Sequence, residues 1–181
     1  LREQNEAFFM EMSKQRSLSS DSSVGVPRNQ KSMLVMFADI CGSTELYEKL
    51  GDTIARNKTS ECLGLLIEEA KKHKGRLVKT IGDEIMCVFP TAQDGFVAAT
   101  NMHREITKRE AMTLDIKIGV QYGSVIDEDN DVYGDTVNIA ARMTSLARRG
   151  QILTTENTVK QLSPAMQKNA SAIDKLSIKG K

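Results

Sequence analysis

Apolar residues recur along this chain at two different spacings, which predict strands and helices in alternation. The apolar run within 33–39 and the alternating segment 115–122 are typical of strands, and 76–89 is typical of a hairpin with Asp83 at its tip. Helical spacing is found over 52–74 and 92–110, and again in the later part of 131–143. A strand at 151–154 and a short helix at 156–162 complete the pattern.

Each of the two long predicted helices has one apolar side. In 52–74 this side consists of Ile54, Cys62, Leu66 and Ala70. In 92–110 it consists of Ala92, Phe96, Ala99 and Ile106. Helices of this kind bury their apolar side against a sheet. The order strand, helix, hairpin, helix, strand therefore predicts an α/β (α+β) sandwich with a ferredoxin-like βαββαβ core.

Residues 1–31 differ in composition from the rest of the chain. Residues 1–16 are charged and helix-like, and we interpret them either as the end of a helix from an upstream sensor or as a disordered terminus. Five serines with Gly25 and Pro27 make 17–31 typical of a flexible linker. We therefore predict one domain at 32–181. The sequence starts without Met and stops within a motif, so we expect it to be a piece of a longer protein, truncated at its C-terminus.

The composition of the chain disfavours some classes of function. The 25 Lys and Arg residues are mixed with 24 Asp and Glu residues, and the net charge of +1 gives no reason to expect a nucleic-acid partner. Three scattered cysteines do not form a disulfide framework, which favours a reducing, cytoplasmic environment. No apolar run approaches the roughly 18 residues that span a bilayer, although a longer parent protein could still be tethered to a membrane.

Two aspartates end predicted strands and are candidates for binding a metal. Asp39 follows the apolar run 33–37 and precedes a turn that contains Gly42, and Asp83 occupies the hairpin tip. Mg²⁺ is usually held by one or two carboxylates together with substrate phosphates. Neighbouring strands would bring both carboxylates to one edge of the sheet, and the turn could offer N–H groups to phosphate. The alternative interpretation is a pair of ordinary turn aspartates.

A third block, 131–143, is typical of a turn followed by a helix. Asn138 and Arg142 are four residues apart and therefore share one helical face. We expect Ile139, Met143 and Leu146 to pack on the sheet. An amide and a guanidinium that project together could hold a ribose and a phosphoryl group. The alternative is an ordinary solvated face.

Taken together, and in this order, the three blocks resemble the class III nucleotide cyclases, from about Met33 to Lys181. The resemblance implies that Asp39 and Asp83, with Ile40, bind two Mg²⁺ ions, for which Mn²⁺ may substitute. It implies that Lys79 and Asp131 contact adenine. It also implies that Asn138 orients the ribose and that Arg142 stabilises the transition state.

The resemblance extends to further substrate contacts. It places substrate binding at Phe37, Cys41, Gly42, Ser43, Thr44 and Val132. It also implies a phosphate-binding lysine near the C-terminus, which is Lys179 or Lys181, and we assign it to Lys179.

The chemistry of the base favours ATP over GTP. Adenine offers an amino donor and ring-nitrogen acceptors, which match the carboxylate of Asp131 and the ammonium of Lys79. Guanine reverses this pattern, and a site built for one pattern rejects the other. The sequence is therefore interpreted as an adenylate cyclase that forms 3′,5′-cyclic AMP and pyrophosphate from ATP. The resemblance further implies a homodimer with each active site shared between two chains, and an upstream regulatory domain.

Three other functions stay open at this point. These are a guanylate cyclase, a diguanylate cyclase and a catalytically silent module that binds nucleotide or dimerises. Residues 81–84 match part of the turn motif of diguanylate cyclases. The sequence contains no P-loop, no G-x-G-x-x-G, no zinc-ligand cluster and no G-x-S-x-G elbow, so other nucleotide-binding and hydrolase classes are disfavoured.

Overall fold

A mixed sheet with helices on both faces forms the framework of residues 29–109, 111 and 113–172, the part of the chain that the computed structural model describes. The strands are β1 (Gln30–Cys41), β2 (Arg76–Ile81), β3 (Glu84–Phe89), β4 (Asp115–Glu128), β5 (Asp131–Tyr133) and β6 (Ile152–Leu153). The helices are α1 (Ser43–Leu50), α2 (Asp52–Lys72), α3 (Ala92–Lys108), α4 (Asp135–Leu146), α5 (Glu156–Val159) and α6 (Pro164–Gln167). The predicted segment 1–16, most of the predicted linker and Lys179 lie outside the described residues.

The strand order confirms the predicted fold class. The strands are arranged β2-β3-β1-β4-β5, with each neighbouring pair antiparallel, and β6 pairs with β4 in parallel. The elements β1, α2, β2, β3, α3 and β4 thus form the βαββαβ core, in which the first and last strands lie side by side at the centre.

Several boundaries differ from the prediction. β1 and β4 are longer than the apolar segments 33–39 and 115–122, because they pair continuously from Gln30 opposite Ile126 to Cys41 opposite Asp115. Backbone pairing with a neighbour therefore extends both strands through polar residues. Helix α1 lies where a turn was predicted, and it follows Gly42, whose φ of 88° is left-handed. The predicted turn at 131–133 is the short strand β5.

The larger core lies between the sheet and helices α2 and α3. Alternate residues of β1, from Leu34 to Ile40, face this side. The predicted inward residues Cys62, Leu66, Ala70, Ala92, Ala99 and Ile106 are buried there, and Phe96 is half-buried. The prediction for Ile54 is wrong, because its side chain is 51% exposed and Ala55 takes the buried position at the start of α2.

Helix α4 covers the opposite face of the sheet and lies close to β4. Thr136, Ala140 and Thr144 face the sheet, and the Oγ1 of Thr136 donates to the carbonyl oxygen of Ser124 at 2.7 Å. A Cβ at Gly119 would overlap Thr144 and lie 2.6 Å from the carbonyl oxygen of Ala140. The prediction that Leu146 packs on the sheet is wrong, since it is 42% exposed. Small residues therefore make the closest contacts between α4 and β4, while Met143 packs with Leu153 of β6.

In the described residues, none of the helices is both long and apolar enough to cross a bilayer.

The first prediction tests the close packing of α4 on β4. Gly119→Ala should lower the free energy of unfolding by about 2 kcal/mol, because an added methyl group meets backbone atoms that cannot move aside without shifting the helix. Urea denaturation followed by circular dichroism measures this change. Gly64→Ala in α2 is the control, because a Cβ there meets nothing within 4 Å and helix propensity favours alanine. Equal stability of the two variants would contradict the proposed packing.

Candidate active site

Three charged side chains form a row across the neighbouring strands β3, β1 and β4, near the end of β1. In the antiparallel register, Asp39 of β1 lies opposite Lys117 of β4 on one side and Glu84 of β3 on the other. The Nζ of Lys117 is 3.2 Å from the Oδ2 of Asp39. Because alternate residues of a strand share a face, Asp39 lies on the same face as Phe37, which is the face that α4 covers. The row therefore lies on the α4 side of the sheet.

Asp83 is held beside this row by the end of β1 and the start of α1. It follows Gly82, whose φ of 63° forms the tight turn between β2 and β3. Its carboxylate accepts a hydrogen bond from the Oγ of Ser43 at 2.6 Å, and its carbonyl oxygen accepts one from the backbone N of Ile40 at 3.3 Å. The structure thus brings Asp39 and Asp83 to one edge of the sheet, as predicted.

The carboxylates of this region repel one another. Burial raises the pKa of Asp39, the ammonium of Lys117 acts to lower it, and the charge of Asp83 raises it. Burial together with the charges of Asp39 and Asp83 raises the pKa of Glu84 to about 7. This is an environment in which a bound cation relieves unfavourable charge.

The donor set fits Mg²⁺ or Mn²⁺. Within the described ranges, no three His, Cys, Asp or Glu side chains are placed to hold a metal by themselves. Mg²⁺ does not need such a cage, because it is usually held by one or two carboxylates with substrate phosphates and water as the other ligands. Asp39 and Asp83 could supply the carboxylates, and Ile40 could contribute only its backbone oxygen because its side chain is apolar and buried.

The turn between β1 and α1 lies next to these carboxylates. Gly42 forms this turn, and three other predicted substrate-binding residues flank it, since Cys41 ends β1 and Ser43 and Thr44 begin α1. Gly42 caps α1 without a side-chain hydrogen bond. The Nη2 of Arg149 would lie 3.3 Å from a Cβ placed on Gly42, so the guanidinium adjoins the turn. The sequence prediction did not include Arg149, because its position beside Gly42 depends on the path of the chain after α4.

An ion pair joins β2 and β5, the two strands at opposite ends of the strand order. The Nζ of Lys79 on β2 donates to both carboxylate oxygens of Asp131 on β5, at 3.0 and 2.7 Å. The backbone N of Val132 donates to the Oδ1 of Asp131 at 2.8 Å. Burial acts to raise the pKa of Asp131, but the hydrogen bonds from Lys79 and Val132 hold it below its usual value. Asp131 is therefore ionised and oriented beside the ammonium of Lys79.

The other predicted residues occupy two different surroundings. Asn138 is exposed and Arg142 is half-buried, and both lie on the side of α4 turned away from Ala140 and the sheet. Phe37 and Val132 are buried in the apolar cluster beneath α4, and the carbonyl oxygen of Phe37 accepts a hydrogen bond from Thr144 at 3.4 Å. Their side chains are therefore not available to a ligand, and the backbone of Phe37 is paired with both β3 and β4.

Lys117 and Glu84 complete the row around Asp39 and were given no role in the sequence prediction. The alternation of polar and apolar residues in 115–122 shows that Lys117 shares a face with other polar residues. Only the pairing of β1 with β4 reveals that its partner is Asp39.

Comparison with known proteins adds independent information. The family model described as "Adenylate and Guanylate cyclase catalytic domain" matches residues 26–181. The chain is 36% identical over 129 residues to an adenylate cyclase of Glutamicibacter nicotianae, covering 70% of this chain and 32% of that protein. It spans about a third (32%) of each of the first curated relatives it matches.

Solved structures of cyclase domains have the same fold as this chain. The adenylyl cyclase CyaB of P. aeruginosa shares the fold, with a TM-score of 0.65 at 24% identity, covering 73% of this chain and 80% of that one. The catalytic core of a rhodopsin-guanylyl cyclase with converted specificity, in complex with ATPαS, gives a TM-score of 0.67 at 26% identity, covering 75% of this chain and 83% of that one.

Proposed function

The chain belongs to the family of adenylate and guanylate cyclase catalytic domains, and we propose that it converts ATP to 3′,5′-cyclic AMP and pyrophosphate. The observation that carries the choice of ATP is the pair formed by Lys79 and Asp131, whose polar groups lie 2.7 Å apart. The two side chains are 39% and 27% exposed, so a base can reach them from one side.

The pair presents a donor and an acceptor next to each other. The ammonium of Lys79 donates to a ring nitrogen of adenine while the carboxylate of Asp131 accepts from the amino group. Against guanine, the ionised carboxylate would face a carbonyl oxygen, which leaves both groups unpaired. A guanylate cyclase is the second candidate, because a solved relative is a guanylyl cyclase whose specificity was converted. The residue types at 79 and 131 favour the adenylate cyclase.

Asp39, Asp83 and the backbone oxygen of Ile40 would hold two Mg²⁺ ions, for which Mn²⁺ can substitute. When bound, such ions lower the pKa of the ribose 3′-hydroxyl and neutralise charge on the phosphates. The hydrogen bond from Ser43 fixes one oxygen of Asp83 at 2.6 Å and leaves the other for a ligand. The turn at Cys41–Thr44 lies beside these carboxylates, so its backbone N–H groups are positioned to receive phosphate oxygens.

Helix α4 supplies the groups that act on the reacting atoms. The amide of Asn138 orients the ribose so that its 3′-oxygen lies in line with the α-phosphorus. The guanidinium of Arg142 neutralises charge that grows on the α-phosphoryl oxygens as pyrophosphate leaves. The close packing of α4 on β4 at Gly119 fixes the position of the helix backbone that carries both residues. Lys179 remains a predicted contact to the phosphates.

Each active site is proposed to form between two chains. In this chain, a cavity of about 320 Å³ between α1 and α2 is lined in part by Gly42 and Lys58 but not by Asp39, Lys79 or Arg142. Ile81 and Tyr133 flank the pair of Lys79 and Asp131, and they are 46% and 40% exposed. A second chain would cover these apolar side chains and bring its Asp39 and Asp83 to the base-binding groups of the first. A twofold homodimer then contains two equivalent sites. We also propose that an upstream regulatory domain accompanies the catalytic one, a proposal supported by the length of the first curated relatives, of which this chain spans 32%.

Metal dependence is tested at the two carboxylates. Asp39→Asn or Asp83→Asn should lower kcat on the order of 10³-fold, because each removes a ligand whose bound metal stabilises the transition state by several kcal/mol. The measurement is cyclic AMP formation with Mg²⁺ and with Mn²⁺. Asp94→Asn is the control, since Asp94 also accepts from a lysine at 3.2 Å but lies on α3, on the other face of the sheet. Turnover at the wild-type level in either site variant would contradict the metal assignment.

Base choice is tested by exchanging the base-contacting pair. Lys79→Glu combined with Asp131→Cys should lower the ATP/GTP ratio of kcat/KM on the order of 100-fold, because the exchanged groups no longer complement adenine. Arg76→Gln is the control, because Arg76 is also on β2 and forms an ion pair with Asp127 of β4 at 2.7 Å. An unchanged ratio in the double variant would mean that Lys79 and Asp131 do not contact the base.

The shared site is tested by mixing two inactive variants. Asp39→Ala removes the metal half and Arg142→Ala removes the transition-state half, so each homodimer should be nearly inactive. In a heterodimer, one site carries both changes and the other carries neither, so activity should return to about a quarter of the wild-type level for randomly mixed chains. Subunit exchange is checked with differently tagged chains. A mixture that exchanges subunits and stays inactive shows that each site lies within one chain.

A further inference from the structure

Arg149 reaches the turn between β1 and α1 but has no role in the reaction described above. Its Nη2 would lie 3.3 Å from a Cβ placed on Gly42. Apart from the chain neighbours of Gly42, no other described residue comes within 4 Å of that position. The guanidinium therefore borders the turn on one side, and the space around Gly42 is otherwise open to a ligand.

Hydrogen bonds hold the segment that carries Arg149 in place. The backbone N of Gly150 donates to the carbonyl oxygen of Ile116 at 2.9 Å, which ties the segment to the start of β4. The Oε1 of Gln151 accepts from the backbone N of Arg148 at 2.9 Å and closes the turn. The start of β4 is paired with the end of β1, so the backbone at Arg149 is fixed next to the end of β1.

The guanidinium of Arg149 is exposed, and it forms no ion pair with any residue that the structure describes. Asp115 carries a carboxylate in this region, opposite Cys41 in the strand register. Its Oδ1 accepts from the backbone N of Ile116 at 2.8 Å instead. A guanidinium that has no carboxylate partner keeps its donors for a ligand, and its planar fork matches the oxygens of a phosphate group.

The position of Gly42 indicates which phosphates this guanidinium can reach. In the proposed function, Asp39 and Asp83 hold metal ions and Arg142 acts on the α-phosphoryl oxygens. Gly42 lies past the end of β1, three residues after Asp39. A triphosphate whose α-phosphate is held by those groups extends its other two phosphates along the turn, where Arg149 lies.

We propose that Arg149 binds the β- and γ-phosphates of ATP, and then the pyrophosphate that they form when the α,β-bridging bond breaks. The inference rests on the proposed function, in which the turn at Gly42 receives phosphate oxygens. These two phosphates are present in the substrate, the transition state and the product. The contact therefore strengthens the binding of ATP and of pyrophosphate and has little effect on kcat.

The test measures binding without turnover, by isothermal titration calorimetry of the purified chain in the presence of Mg²⁺. The ligands are pyrophosphate, AMP and an ATP analogue whose α,β-bridging oxygen is replaced by methylene, so that pyrophosphate cannot leave. Arg149→Met should weaken the binding of pyrophosphate and of the analogue about tenfold, because a charge-assisted contact to phosphate is lost. The binding of AMP should not change, since AMP has no β- or γ-phosphate.

Steady-state kinetics provide a second readout of the same contact. Arg149→Met should raise the KM for ATP about tenfold and leave kcat within about twofold of the wild-type value, because the interaction is made in the ground state and in the transition state alike. A fall in kcat with an unchanged KM overturns the inference.

Matched variants separate the guanidinium of Arg149 from the general charge of this segment. Arg148→Met is the control, because Arg148 is the neighbouring exposed arginine and does not come within 4 Å of a Cβ placed on Gly42. Arg149→Lys keeps the charge without the planar fork and should weaken pyrophosphate binding by only about threefold. Arg149→Gln is a second neutral variant should Arg149→Met not fold. Unchanged pyrophosphate binding in the neutral Arg149 variants, or equal weakening in Arg148→Met, overturns the inference.

The wild-type chain distinguishes this failure from a failure of the proposed function. If the wild-type chain forms cyclic AMP from ATP and the neutral Arg149 variants bind pyrophosphate as tightly as it does, the proposed function stands and the role of Arg149 is refuted. If the wild-type chain neither binds the ATP analogue nor forms cyclic AMP, the proposed function is refuted, and with it the inference.

Discussion

The register between β1 and β4 determines where the groups of the candidate site lie. Twelve consecutive residue pairs, from Gln30 opposite Ile126 to Cys41 opposite Asp115, hold the two central strands together. This register places Lys117 beside Asp39 and Gly119 beside Phe37, under helix α4. A slip of one residue would turn the side chains of one strand to the opposite face. The face of the sheet on which Asp39 lies therefore depends on this pairing.

Two ion pairs of this sheet lie in different surroundings. Lys79 and Asp131 are partly exposed, and pairs of that kind contribute about 0–1 kcal/mol to stability. Adenine can therefore take over one of the hydrogen bonds at little cost to the fold. Lys117 and Asp39 are a similar pair, but Asp39 also lies opposite Glu84 and near Asp83, so this pair belongs to a cluster of charged groups. The proposed choice of base rests on the first pair alone.

Local sequence patterns predicted much of the fold and the grouping of Asp39 with Asp83, because both aspartates follow apolar strands. They did not predict α1, since Gly42 and the small residues after it are equally typical of a turn. They misplaced Ile54 and Leu146, because helical spacing identifies an apolar side but not how far the sheet beneath it extends. The partner of Lys117 could not be predicted, because it is set by a register between strands 78 residues apart in the chain (117 − 39). Likewise, the contact of Arg149 with the Gly42 turn depends on three-dimensional chain path.

The reaction proposed for this domain is the cyclisation of ATP. The most direct test incubates the purified wild-type chain with ATP or GTP, in the presence of Mg²⁺ or Mn²⁺, and identifies the products by mass spectrometry. The account predicts cyclic AMP and pyrophosphate in equal amounts, with a higher kcat/KM for ATP than for GTP. Absence of a cyclic product with either metal, or a preference for GTP, would contradict it.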